Sequence, residues 1–490
     1  MPPATYGVAS LPVELLHAIC EDAERSGLYS IALCDKTFNS IATPILYSTI
    51  DVQFLYGIYA CVRTLAAPPS KTSMNRDLAS YVEVISLYDP NERVENGSKK
   101  TRPRQLIRDR LDIAVPRMRR LRSFTCRVEF DQTNQTFTTL VNGTLPLIDS
   151  VDISVEPWEL EDTEGAPLSV AVPSFKKLKL RWTDWAPRLP TWYKVLICSV
   201  LSASRYTLQS LSLGRHAFTA FQAAWRSIPS FPALRELEAE VQLLSEPAFQ
   251  DTTSIRQYAV LDMIYTQLTP TVLPNLEEVT CAPYELKWFL PERAEHQRPI
   301  KVITLDRARY ERTLDGGSYT IWDMADEWHD TISRSLRALE FSGARLVRLS
   351  VVVSRLRVRD LLDLSPLLNE LEYLLMMLEY APGEGYEGGD TIFAMTEVLD
   401  RMPRLHTFLI SDGMPKTCLG GSPFYFAHDE AYQRRALANY DEYSSSLRRV
   451  AFTSEFEWEK RQDGWHPWGH VVADREILSD GEDEDLEQDR

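Results

Sequence analysis

A six-residue pattern, apolar-x-x-apolar-x-apolar, recurs twelve times between residues 82 and 452 and limits the possible folds of this chain more than any other feature. It reads Val82/Ile85/Leu87, Leu121/Phe124/Cys126, Ile148/Val151/Ile153, Phe175/Leu178/Leu180, Leu208/Leu211/Leu213 and Leu234/Leu237/Ala239. It continues as Leu276/Val279/Cys281, Ile300/Ile303/Leu305, Leu346/Leu349/Val351, Leu371/Leu374/Met376, Leu405/Phe408/Ile410 and Leu447/Val450/Phe452. The last two apolar positions lie two apart, so on a β-strand they point to the same face. The residue between them points to the other: Ser86, Thr125, Asp152, Lys179, Ser212, Glu238, Thr280, Thr304, Ser350, Leu375, Leu409 and Ala451. Nine of these twelve are polar or charged, which predicts strands with one buried and one solvated face. In five motifs a proline stands two positions before the first apolar residue: Pro146, Pro173, Pro232, Pro274 and Pro403. Proline lacks an N–H and biases the preceding residue away from helix, so these prolines are predicted to mark the end of a preceding helix.

Between the strands lie stretches of helical period, such as Trp192/Val195/Leu196, Leu261/Ile264/Tyr265/Leu268, Met324/Trp328/Ile332/Leu336/Leu339 and Ile392/Met395/Leu399/Met402. Strand then helix, repeated, resembles a leucine-rich-repeat solenoid, in which each unit stacks on its neighbours. Successive fourth positions are 24 to 46 residues apart, against the 20–29 of regular repeats. The Asn or Cys expected three residues after the last strand position is replaced by Pro90, Glu129, Glu156, Thr183 and His216 in the first five motifs. The expectation is an irregular α/β solenoid over residues 51–472, with helices on its convex side and long insertions. A compact α/β domain whose parallel strands mimic the repeat is the alternative.

The first fifty residues read as a separate three-helix module. Pro12 suits a first helical position and Glu14 the positive helix N-terminus. Leu15, Leu16 and Ile19 share an apolar face, and Leu28, Ile31 and Ala32 define a second short helix. Asp35 is placed to cap a third, with Phe38, Ile41 and Ala42 inward and Pro44 closing it. So few residues bury little surface on their own, so the module is expected to lean on a partner or on the rest of the chain.

The residues Leu11-Pro12, Glu14-Leu15-Leu16, Ile19, Leu28/Ile31/Leu33, Phe38 and Pro44-Ile45-Leu46-Tyr47 resemble an F-box over residues 8–50. The ending, with Ser48-Thr49-Ile50-Asp51-Val52 after it, is similar to the large fungal set of F-box proteins. That resemblance implies docking onto the Skp1 adaptor, and through it a cullin, by Leu11, Pro12, Leu15, Leu16, Ile19, Leu33 and Phe38. It also implies that the following domain holds a target protein for ubiquitination, with exposed aromatics such as Trp182, Trp185 and Trp192 as candidate anchors. The implied function is that of a non-catalytic adaptor of a Skp1-cullin-F-box ligase in the cytoplasm or nucleus. The competing expectation is a leucine-rich-repeat scaffold without ligase association, whose first helices only cap the repeats.

Charge and motif content exclude other classes. A net charge of −17 disfavours nucleic acid and acidic membranes. Lys99–Arg122 runs against it with ten Lys/Arg, read as a solvated helix surface beside a polar loop. Residues 473–490 are expected to be an acidic disordered tail: Ser479–Arg490 holds seven acidic residues, and Ser479 precedes Asp480 and Glu482 as an acid-directed kinase would require. No apolar run is long enough for a membrane span, and the N-terminus lacks the basic-then-apolar order of a secretory signal. Seven scattered cysteines are read as mostly buried thiols, with no disulfide framework and no zinc spacing. Gly383-Glu384-Gly385-Tyr386-Glu387-Gly388 fits G-x-G-x-x-G, but its carboxylates would repel a phosphate, so it is read as an insertion loop. His466 and His470 have metal-compatible spacing, yet Pro467 and Gly469 argue against a helix between them. The expectation is therefore no enzyme, no cofactor, no metal and no catalytic residues.

Overall fold

The computed structural model describes residues 11–68, 77–88, 101–127, 134–154, 172–181, 191–214, 217, 221–249, 251–261, 268–269, 271–290, 298–305, 332, 334–337, 339, 345–353, 358–378, 395–412, 429–453 and 457–468. The chain is mixed α/β and forms two compact units, Met1–Ser254 and Ile255–Arg490. The first opens with three helices, α1 (Val13–Asp22), α2 (Arg25–Cys34) and α3 (Lys36–Ser48). Its strands are β1 (Thr49–Gln53), β2 (Val84–Tyr88), β3 (Ser123–Arg127), β4 (Ser150–Ser154), β5 (Lys177–Arg181), β6 (Ser210–Leu213) and β7 (Glu236–Ala239). They pair in chain order, all parallel. Crossovers include α4 (Leu55–Ala66), α5 (Thr101–Ala114), α6 (Asn134–Val141) and α7 (Thr191–Ala203).

The second unit holds β8 (Gln257–Val260), β9 (Glu278–Cys281), β10 (Val302–Leu305), β11 (Arg348–Val353), β12 (Tyr373–Leu378), β13 (Thr407–Asp412) and β14 (Arg449–Ala451), again parallel in chain order. It ends in an antiparallel ribbon of β15 (Glu457–Arg461) and β16 (Gly464–Trp468) on β14.

The repeat motif accounts for the core of both units. Every apolar position of the twelve triplets is at most 3 % exposed, and the strands line the fourth and sixth positions up in register, as in Ile85↔Phe124 and Leu374↔Phe408. A thirteenth triplet, Ile255/Tyr258/Val260, forms β8 and is just as buried. It divides the longest spacing in the first half of the series, between Leu237 and Val279. The residues between the inward positions face the other side, though not all are solvated: Asp152 and Ser212 are fully buried. Lys177 Nζ sits 3.3 Å from the Asp152 carboxylate and supplies the counter-charge such burial needs.

The prolines act in turns. In four of the five proline motifs the first apolar N–H donates to the carbonyl just before the proline, as in Leu234 N to Phe231 O (3.1 Å) and Leu405 N to Met402 O (3.0 Å). That is a β-turn with proline at its second position, where a fixed φ is favourable. It delivers the chain to the strand, and the same i→i+3 bond recurs without proline in Leu121 N to Met118 O (2.9 Å) and Leu371 N to Leu368 O (3.0 Å).

Just before most of the parallel strands, one carbonyl accepts two successive N–H groups from the next strand's start. Glu83 O accepts from Arg122 and Ser123 (2.7 and 3.1 Å), Asp149 O from Lys176 and Lys177 (2.7 and 3.1 Å), and Glu277 O from Lys301 and Val302 (2.8 and 3.1 Å). Side chains of that row alternate in charge and pair: Arg122–Glu83 at 3.9 Å, Lys176–Asp149 at 2.7 Å, and Glu277 between Arg256 and Lys301 at 3.6 Å each. This row ties neighbouring turns together where an Asn ladder would have.

The solenoid expectation needs correction. A solenoid stacks like turns at an even pitch. Here the crossovers differ in length and kind, from the fourteen-residue α5 to the short 3-10 turns Val241–Ser245 and Pro247–Phe249, and the last strands reverse to antiparallel. α3 ends at Ser48 and β1 begins at Thr49 with no linker between them. Residues 8–10 and the tail 473–490 lie outside the described residues.

Candidate docking face on the N-terminal helices

Helix α1 begins after Pro12, which stands at the cap position (φ −53°, ψ 143°) and not inside the first turn. The Pro12 carbonyl accepts from Leu15 N (3.0 Å) and Leu16 N (3.2 Å), so proline starts the helix without losing a needed donor. Only Ala23 and Glu24 separate α1 from α2. Asp35 then caps α3, its Oδ1 accepting from Thr37 N (2.6 Å) and Phe38 N (2.9 Å). Asn39 Nδ2 donates to Ala32 O (3.1 Å) and satisfies a carbonyl at the end of α2. Pro44 does not close α3, which runs on to Ser48. Helix interiors tolerate proline only at a cost, and here the burial of Ile41 and Ala42 below it and the packing of Ile45 and Leu46 beyond it hold the helix together.

The three helices share a small core of Leu16, Cys20, Leu28, Ala32, Ile41 and Ala42, with Ile31, Phe38, Ile45 and Leu46 packed at its margin. That core splits the apolar face expected on α1. Leu16 turns inward at 2 % exposure, while Leu11 (37 %), Leu15 (51 %) and Ile19 (45 %) stay outside. Leu15 and Ile19 follow the i, i+4 spacing of one stripe of α1, and Leu11 stands exposed just before the helix cap. On α2, Leu28 and Ala32 face in and Leu33 is 69 % exposed. Of the seven residues expected to meet a partner, Leu11, Pro12, Leu15, Ile19 and Leu33 are therefore at the surface. Leu16 and Phe38 belong instead to the support beneath it. Tyr29, one turn before Leu33, is exposed as well; its i, i+4 relation to Leu33 was the sequence signal for it.

No protein-family model matches the chain, and neither does any curated protein sequence.

The other candidate features resolve as follows. Arg117 of the basic run is a structural cation: it donates to the carbonyls of Leu65, Ala66 and Ala67 (3.1–3.2 Å) and pairs with Asp77 at 2.6 Å. It thereby caps the negative end of α4, whereas Arg119 and Arg120 remain exposed. His466 lies on strand β16 and its Nε2 meets Asp463 at 2.9 Å; His470 lies outside the described residues, as do Gly383–Gly388, Trp182 and Trp185. Trp192 lies in the first turn of α7, and Val195 of the same helical period is exposed there. No group of His, Cys, Asp and Glu suited to a metal ion occurs among the described residues. No helix among them is long and apolar enough to cross a membrane. Cys20, Cys126 and Cys281 are buried thiols, Cys61 and Cys198 are half-buried, and Cys34 is exposed.

Proposed function

We propose that this chain is a non-catalytic adaptor. Its N-terminal module is an F-box that docks onto a Skp1-type protein through Leu11, Pro12, Leu15, Ile19 and Leu33, and so joins a cullin-based ubiquitin ligase in the cytoplasm or nucleus. The strands that follow are divergent leucine-rich repeats that hold a target protein. The observation that carries this reading is the outward stripe of α1. A module short of apolar surface for its own core leaves Leu11, Leu15 and Ile19 in water, and monomers rarely leave such surface unused. Helices that merely capped a repeat array would turn the stripe inward. The mechanism is proximity: holding target and ubiquitin-transferring machinery on one chain raises their effective concentration, and the bond-forming chemistry lies with the partners.

The test is a pulldown of purified Skp1 by wild type and by a Leu11→Asp/Pro12→Ala/Leu15→Asp variant, with circular dichroism on both. These side chains face out, so the variant is expected to fold and to bind about 100-fold or more weakly, since carboxylates replace apolar groups at a dry contact. A wild type that captures no Skp1 overturns the ligase reading.

A further inference from the structure

Three of the twelve residues between inward strand positions are apolar, and the second unit places all three side by side. Leu375 lies opposite Leu409, and Leu409 opposite Ala451. Two residues back along the same strand faces, Tyr373, Thr407 and Arg449 follow Arg348 in register. The Arg348 guanidinium lies 4.0 Å from the centre of the Tyr373 ring, and that of Arg449 lies 4.6 Å from the centre of exposed Trp468. Of the earlier strands of this unit, β8 carries the small Ala259 in the same row and the next three carry polar Thr280, Thr304 and Ser350. Glu457 pairs with Arg449, whereas no carboxylate among the described residues lies within ion-pair distance of exposed Arg348.

We propose that the surface formed by Arg348, Tyr373, Leu375 and Leu409 binds an extended acidic-apolar segment of a target protein. Charge argues for that occupant. A chain of net charge −17 sets two guanidiniums on aromatic rings beside one apolar stripe, and among the described residues a single acid answers one of them. A guanidinium stacked on a ring is weakly hydrated and presents its donor edge to a carboxylate. Leu375 and Leu409, half-buried, offer the apolar contact beside it. Tyr, Trp and Arg around a small aliphatic centre is the composition that dominates binding energy at protein interfaces. The proposal names the target chemistry that the adaptor reading leaves open, and it rests on that reading for its biological setting.

The test is selection of a random twelve-residue peptide display library on the full chain, with Skp1 capture measured on the same preparation. Enriched peptides are expected to join Asp or Glu to Leu, Ile or Phe. A synthetic enriched peptide is expected to bind Arg348→Glu about tenfold more weakly, and a peptide with its acid replaced by Lys is expected to restore that loss. Leu409→Glu is a second variant at a different point of the surface, and circular dichroism checks both folds. Enrichment of basic peptides, or of peptides indifferent to both substitutions, or no enrichment at all, overturns the proposal. If Skp1 is captured and no such peptide emerges, this inference fails while the adaptor reading stands; peptide binding without Skp1 capture has the opposite meaning.

Discussion

Single residues of the module divide sharply into those that fold it and those left for a partner. Asp35 is in the first class. Two backbone donors converge on its Oδ1, so Asp35→Ala is expected to cost about 1 kcal/mol, read as a lower urea midpoint with unchanged slope. Cysteine chemistry gives a second check. Burial pushes the Cys61 thiol up to about 11, with the Arg25 charge opposing it only in part. At pH 8 about one Cys61 in a thousand is then thiolate, while Cys34 stands exposed on the surface. Iodoacetamide with mass spectrometry is expected to label Cys34 first, and the Cys61 rate is expected to keep climbing to pH 11. The linkage has a definite sign: the unfolded thiol ionises from its ordinary 9.0, so the folded state binds more proton between 9.0 and about 11, and this group's contribution to stability falls as pH rises across that window.

At the scale of elements, strands were far more legible than what links them. Two inward positions per strand, read from the spacing alone, are buried without exception in the twelve motifs, because a period of two leaves a strand only one way to face a core. β8 escaped because Tyr258, which carries a hydroxyl, fills an inward slot that wholly apolar side chains hold in the twelve motifs; its ring packs 5.9 Å from that of Phe289. On α1 the periodicity placed Leu15 and Leu16 together, and nothing local decides which of two adjacent apolar stripes meets α3. The charged row before the strands was equally invisible, since its members are neighbours only once the strands pair. That row is testable at Glu277, whose two carboxylate oxygens reach Arg256 and Lys301. Glu277→Arg stacks three cations across adjacent strands and is expected to destabilise by about 1 kcal/mol. Because these side chains are largely solvated, the loss is expected to shrink in 1 M salt, as urea melts at low and high ionic strength will show; a loss indifferent to salt refutes the electrostatic account.

For the molecule as a whole, the decisive join is the one between α3 and β1. Ser48 ends the helix, Thr49 begins the strand, and the Ser48 carbonyl accepts from Glu83 N at 2.8 Å, the first rung of the backbone row that continues through the first unit. α3 also packs against the turn Leu78–Tyr81. The module's own core is six buried side chains, two of them alanines, too few to offset the conformational entropy of about 40 residues, which costs on the order of 1–2 kcal/mol each. Its order is therefore borrowed from the sheet it precedes, and the exposed stripe of α1 is held at a fixed orientation to β1. A fragment of residues 8–50 is expected to show weak helical dichroism and no cooperative melt. In the full chain, amide exchange in α3 is expected to be protected to the same degree as in β2, since both open only when the first unit does. A fragment that melts cooperatively would mean the module is autonomous, and the docking face would then be free to swing relative to the strands that follow it.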